Sequence, residues 1–338
     1  MDQPIHDRAS GILRLDTRHL LLLGLFAAAT IALLFTLGGG QLTLNALAHA
    51  DWRLLALALL IHYGGFALRG HRWQLLLGMV GYRLGYLYTT GLLLAGWFVS
   101  ALLPARAGDL FRLLALRTPP STQPTVSIAA ALGTVVLERA LDILAILLLG
   151  AGFSVAVLHD RVPGWLLSVY GAALTLVVMI GVVLLATPLL LERLRAFSNR
   201  PLWHKTLDFI AQLADSLRQL AERPGGALLA MGESLLIWLC DGLLLWLVVL
   251  SLGQAFTLGE ASFVALSVDI FAAVPLTPGG MGQIETAYAA LLALIAHPGL
   301  QIPAVVLATR LISYWSFLIL SGLVTLLAGF GRAITLSR

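Results

Sequence analysis

Apolar runs dominate the chain and polar residues punctuate them. Stretches long enough, or nearly so, to cross about 30 Å of hydrocarbon recur at Leu20 to Leu37, Trp52 to Leu68, Ser127 to Leu158, Trp165 to Ala186, Ala227 to Leu250 and Ala304 to Ala328. Two further runs, Tyr86 to Leu103 and Ala261 to Ile295, are interrupted by proline and glycine. The pattern predicts an all-α polytopic membrane protein, with about six full spans and two broken helical segments. One stretch differs in character. Between Leu191 and Glu222, residues Thr206, Phe209, Ile210, Leu213, Leu217 and Leu220 fall at helical spacing opposite Asp208, Asp215 and Arg218. That pattern predicts an amphipathic helix on the membrane surface, tying two halves together.

Composition sharpens the class. Of 338 residues, 59% are hydrophobic and 11% charged, where a soluble domain carries about a quarter charged. The net charge of +4 comes with a single lysine, Lys205, and no basic run, so nucleic acid is not an expected partner. Cys240 is alone, which excludes a disulfide framework and a cysteine-ligated metal site. The first apolar run is too long for a signal peptide, and the small-residue site Ala48-His49-Ala50 lies well beyond its end, so an uncleaved span is expected. No GxxxxGK[ST], HExxH or GxSxG motif occurs, and no cofactor or metal is expected. His62 and His71, near span ends, read as interfacial.

Arginine placement predicts the topology. Short loops rich in Lys and Arg stay cytoplasmic, and 17 of the 21 such residues fall in the N-terminal segment, around 69–83, around 106–117, between 193 and 223, and at the end of the chain. Both termini are therefore expected to be cytoplasmic, in the cell inner (plasma) membrane. If Tyr86 to Leu103 crossed fully, Arg106, Arg112 and Arg117 would lie outside and the basic segment at 188–225 would follow on the wrong side. A re-entrant hairpin over 86–117, broken near Pro104 to Gly108, resolves this, and its break should line a cavity.

The second broken segment resembles the first. Pro278-Gly279-Gly280-Met281-Gly282 echoes Pro104-Ala-Arg-Ala-Gly108, and "TVVLERALDILAILLL" from Thr134 pairs with "AVVLATRLISYWSFLIL" from Ala304. The expected organisation is a single membrane domain. Its first half, 1–187, carries the hairpin 86–117; a linker helix occupies 188–225; its second half, 226–338, carries the hairpin 261–296, entering from the opposite face. That is a degenerate inverted repeat.

Eight ionisable residues stand in apolar context: Glu138, Arg139, Asp142, Glu233, Asp241, Asp269, Glu285 and Arg310. Each costs roughly 2.5 to 3.5 kcal/mol at a helix centre facing lipid, so they are expected to face a polar cavity. Glu138 and Asp142 share a helix face, with Arg139 able to pair with Asp142 at i,i+3. Helices beginning after Gly108 and Gly282 would aim free N–H groups into that cavity, with Arg106 and Arg112 adding fixed cations. That arrangement suits a phosphate. The plain alternative is that both arginines snorkel to the cytoplasmic interface.

The segments "LRGHRW" at Leu68 to Trp73, "LLPARAGDLFR" at Leu102 to Arg112, "LERALDIL" at Leu137 to Leu144 and "TPGGMGQIETAYAALL" at Thr277 to Leu292 together resemble the lysylphosphatidylglycerol synthase transmembrane region, a flippase-like membrane domain family. In members that also make the lipid, a cytoplasmic aminoacyl-transferase domain follows; this sequence carries no such segment, so the resemblance implies the lipid-moving activity alone. The matching positions are Arg72, Arg106, Asp109, Arg112, Glu138, Arg139, Asp142 and Glu285, with Gln283 standing where the first hairpin has Asp109. Asp269 and Arg310 complete the expected cavity. Membrane lipids, either phospholipid or prenyl-phosphate-linked, are the expected partners, and a homodimer is a further expectation. Rival readings are a membrane-embedded transferase acting on a lipid phosphate and a proton-coupled small-molecule transporter.

Overall fold

The computed structural model of the chain describes residues 13–16, 32, 40–102, 107–117, 119–158, 164–195, 201–272, 277–295, 297–328 and 334–337. A short strand β1 (Leu13–Asp16) precedes helices α1 (Gly40–Ala48), α2 (Trp52–Met79), α3 (Tyr86–Leu102), α4 (Ala107–Ala115), α5 (Ile128–Leu158), α6 (Gly164–Arg195) and α7 (Pro201–Ala221). There follow α8 (Pro224–Ser251), α9 (Leu258–Ala272), a 3-10 turn at Pro278–Gly280, α10 (Gln283–Leu294) and α11 (Ile302–Arg310). A π-helical turn at Leu311–Ser316 joins α11 to α12 (Phe317–Leu327), and β2 (Ile334–Ser337) pairs in parallel with β1, bringing the two ends of the chain together.

The protein is an all-α membrane protein. Among the described residues, α2, α5, α8 and the continuous rod from α11 to α12 are long and apolar enough to cross a bilayer. The expected span Leu20 to Leu37 lies almost wholly outside the described residues, as do Pro104 and Arg106. The second span runs on past Leu68 to Met79. Arg69 and Arg72, expected in a cytoplasmic loop after that span, are instead buried on α2. The hydropathy of "RGHRW" hid this continuation, since its charges are neutralised by partners from elsewhere in the sequence.

The chain forms two compact units. One comprises Met1–Tyr63, Gly91–Arg112 and Asp241–Arg338; the other Gly64–Thr90 and Leu113–Cys240. In the first, α3 and α4 fold back on each other. Gly96 and Gly108 lie where the backbones touch, the Gly108 N–H donates to Ser100 Oγ at 3.0 Å, and the stem of Arg112 lies over Gly96. A second elbow joins α9 to α10. Its sequence PGGMG is dictated by backbone shape, since Gly279, Gly280 and Gly282 all hold positive φ (60°, 65° and 81°), where a side chain is strained. Residues Ala261 to Val268 of α9 are buried on every side, as expected of a helix apolar all round. The two elbows meet: Ala101 from the end of α3, Met281 and Tyr314 form one buried cluster.

At 1.5 Å per residue, α3, α4, α9 and α10 measure roughly 26, 14, 22 and 18 Å, all short of the ~30 Å hydrocarbon core.

In the second unit, α2, α5 and α8 supply the core through Trp73, Leu76, Ala131, Leu141 and Ile237. Helix α7 is amphipathic, but its buried stripe is Leu207, Ala214, Ser216 and Leu217, and Thr206 and Ile210 are exposed. The stripe is rotated from the expected one because α7 packs on α5, where Gly133 admits Ser216 and Leu217.

A Cβ at Gly108 would overlap the Gly96 carbonyl, whereas one at Gly152 of α5 meets nothing within 4 Å. Gly108→Ala is expected to destabilise by about 1 to 3 kcal/mol through overpacking, and Gly152→Ala to be neutral or slightly stabilising. Thermal unfolding of the two variants in detergent checks this ordering; equal melting temperatures would contradict the close helix contact.

Candidate functional site

Three helices of the second unit each bring polar side chains, one turn apart, to a single buried point. On α2 these are Arg69 and Arg72, on α5 Glu138 and Asp142, on α8 Ser234 and Trp238; spacings of three and four place each pair on one helix face. Arg72 is 1% exposed. Its Nη1 donates to Asp142 Oδ1 at 2.7 Å and to Ser234 Oγ at 2.6 Å, and its Nη2 lies 3.8 Å from Glu138 Oε1. Trp238 Nε1 donates to the same Asp142 oxygen at 3.0 Å. Arg139 is half-buried, 3.5 Å from Glu138 and 3.6 Å from Asp142. Arg69 stacks against Phe66 and Trp238, 5.3 Å from each ring. Two carboxylates, Glu138 and Asp142, thus answer Arg72 and Arg139, and Arg69 adds a third cation within electrostatic reach of Asp142.

Beside it, His71 Nδ1 donates to Glu233 Oε1 at 2.6 Å. The histidine is half exposed and the glutamate buried, with its second carboxylate oxygen unpartnered.

The first unit holds a different arrangement. Glu285, at the third position of α10, reaches back to accept from the Gly282 N–H at 2.7 Å, which caps the helix start. Its other oxygen accepts from Arg310 Nε at 2.6 Å. Arg310 also donates from Nη2 to the Gly279 carbonyl at 3.1 Å and lies over the Tyr314 ring at 4.4 Å. The π turn begins immediately after Arg310 and places Tyr314 against Gly279, where no side chain would fit. Tyr288, buried on α10, is within electrostatic reach of Asp269, Asp241, Arg310 and Glu285.

The expected site residues therefore fall into separate groups. Arg72, Glu138, Arg139 and Asp142 cluster in the second unit. Glu285 and Arg310 join Gly279 and Gly282 in the first, at the 3-10 turn that starts with Pro278. Asp109 pairs with Arg112 of its own helix at 2.7 Å. Arg112 is fully buried, so the snorkelling alternative fails for it: its stem is taken up by Gly96. Gln283 donates to the Phe271 carbonyl at 2.8 Å, fastening the start of α10 to the end of α9, a bond the Asp109 carboxylate has no hydrogen to make. Arg106 and Pro104 lie outside the described residues. Sequence reasoning missed Ser234, Trp238, Arg69 and Tyr314. The four-residue spacing of Ser234 and Trp238 was the available signal.

Asp142→Asn strips Arg72 of its shortest ionic partner in a buried setting and is expected to destabilise by roughly 3 to 5 kcal/mol. Arg139→Gln, at a half-exposed position, is expected to lose about 1 kcal/mol or less. Melting temperatures of the purified variants check the ranking, and equal losses would show the Arg72 pair to be no more demanding than a surface bridge.

The comparisons with known proteins agree with this architecture. The family described as lysylphosphatidylglycerol synthase TM region matches residues 20–321. A UPF0104 membrane protein of Methanothermobacter thermautotrophicus is 27% identical over 84% of this chain and 86% of its own length. The glycosyltransferase AglD of Haloferax volcanii is 26% identical over 87% of this chain, which spans half of that protein. UPF0104 membrane protein PH1989 of Pyrococcus horikoshii is 22% identical over 90% of this chain and 96% of its own length. No solved structure matches the chain. With its long apolar helices, its two glycine-built elbows and a match that runs through both, this protein belongs to the lysylphosphatidylglycerol synthase transmembrane-region family.

Proposed function

We propose that the protein moves a lipid with a phosphate-containing headgroup between leaflets, as a flippase or scramblase-like transporter of the cell inner membrane. The observation that carries this reading is the meeting of the two elbows in the first unit, with the Glu285–Arg310 pair beside them. The helices on either side of both elbows are too short to cross, which favours hairpins that turn back inside the bilayer, from opposite faces in an inverted repeat. In such plans, broken helices lie at the repeat interface, where their ends and fixed charges meet the cargo. Arg310, already shared between a carboxylate and a carbonyl, offers a guanidinium that a phosphate can recruit, while the acyl or prenyl tails stay in lipid.

The pairing of β1 with β2 supports termini on one side, and the arginine-rich 193–223 segment supports a cytoplasmic side. The family is named for a lipid synthase and the relative AglD is named a glycosyltransferase. A membrane part common to proteins of both names fits the handling of lipids in general better than one headgroup chemistry.

Purified protein in liposomes is expected to expose fluorescent phospholipid or prenyl-phosphate lipid of the inner leaflet to an impermeant quencher. Glu285→Gln, which removes the charge but keeps the side-chain size, is expected to slow this about ten-fold or more. Behaviour no different from empty liposomes across anionic, cationic and prenyl-phosphate lipids would overturn the proposal.

A further inference from the structure

A cleft of about 530 Å³ opens in the second unit where α2 ends and α8 begins. Its walls include His71, Gln74, Met79, Tyr82, Arg83 and Arg223, and none of its described lining residues is acidic. We propose that this cleft is a docking site for the phosphate of an anionic headgroup. Its place on a transport route rests on the transport reading above; the binding itself does not.

Helix α2 ends in a glycine turn that forms one rim of the cleft. Gly81 takes φ +93°, the Tyr82 N–H donates to the Leu77 carbonyl at 2.9 Å and the Gly81 N–H to the Gly78 carbonyl at 3.2 Å. This is the glycine-terminated helix end in which the last carbonyls are tied to the following turn. Gln74 Nε2 then donates to the Leu84 carbonyl at 2.8 Å, bracing that turn against the helix. Arg83 sits between the two tied residues, so its exposed side chain starts from a fixed backbone. On the facing wall, Gly226 presses against Met79, and Arg223 stands just before the first turn of α8, 3.5 Å from the Gly78 carbonyl. Gly225 has open space where a side chain would be. The start of a 28-residue helix thus adjoins the cleft, adding the N–H groups of Gly225 and Gly226 and a positive dipole end to the guanidinium groups of Arg83 and Arg223.

His71 supplies the third element. Glu233 holds the imidazole through Nδ1, which leaves Nε2 for the cleft. Planar guanidinium groups and a helix start are donors that match the tetrahedral oxygens of a phosphate, and the held imidazole can accept from a protonated phosphate oxygen through Nε2. The position matches a headgroup too, because the cleft lies at the ends of two candidate membrane spans, where lipid phosphates reside. His71 and Glu233 precede Arg72 and Ser234 in sequence, so the cleft and the buried cluster are carried by the same two helices.

The test uses the full chain in detergent, titrated calorimetrically with dihexanoylphosphatidylglycerol and, separately, with inorganic phosphate. Saturable binding is expected. Arg83→Ala and Arg223→Ala are each expected to weaken it about ten-fold, and together about a hundred-fold. The melting temperature should stay unchanged, since both side chains are exposed. Tighter binding of the lipid assigns the site to headgroups, and equal or tighter binding of inorganic phosphate assigns it to the free ion. No titration with either probe, or an affinity unmoved in the double variant, overturns the site. In liposomes, loss of binding together with slowed lipid exposure upholds its place on the route; loss of binding with exposure unchanged upholds the site and overturns that place.

Discussion

A guanidinium buried among apolar helices must be answered by carboxylate and hydroxyl oxygens, and that requirement organises this fold. Removing a charge from water costs several kcal/mol per ion, regained only where partners are close and well aimed. Arg72 meets that condition because Asp142, Glu138 and Ser234 come from two other helices and converge on it. No single helix supplies a sufficient set. The ion cluster therefore acts as a register pin among α2, α5 and α8, a role helped by Trp73 donating to Thr134 one residue further along α2. Greasy side chains alone tolerate sliding, whereas a misaligned guanidinium does not.

The first unit meets the same problem at a place where the backbone itself is irregular. Non-helical backbone in an apolar setting needs its N–H and C=O groups bonded. The PGGMG turn achieves this with Thr277 donating to the Met281 carbonyl, Glu285 accepting from Gly282, and Arg310 donating to Gly279. Charge and backbone are thus satisfied together, by the same few side chains. The glycines give the shape; the ions occupy what the shape leaves open.

Much of this was legible in the sequence, and the reasons differ from part to part. Long apolar runs identify spanning helices directly, because hydrocarbon thickness sets their length. The elbows announced themselves through Pro and Gly. The extent of α2 was not legible: Arg69 and Arg72 look like the end of a span until Asp142 and Trp238, far away in sequence, are seen to neutralise and stack on them. Likewise the buried stripe of α7 depends on Gly133 of another helix, which periodicity within α7 cannot report. Arg112 shows the opposite limit, since its burial follows from the absence of a side chain at Gly96.

Glu285 serves two masters, and this gives the elbow a mechanical property. One oxygen terminates the backbone of α10 while the other restrains Arg310, so the order of a helix end and the availability of a cation are joined in one carboxylate. An anion that attracts Arg310 loosens half of what fixes that carboxylate, and a carboxylate that turns toward solvent releases the Gly282 N–H along with it. Electrostatic competition is thereby converted into slack in the main chain, at a stretch where Gly279, Gly280 and Gly282 all hold positive φ.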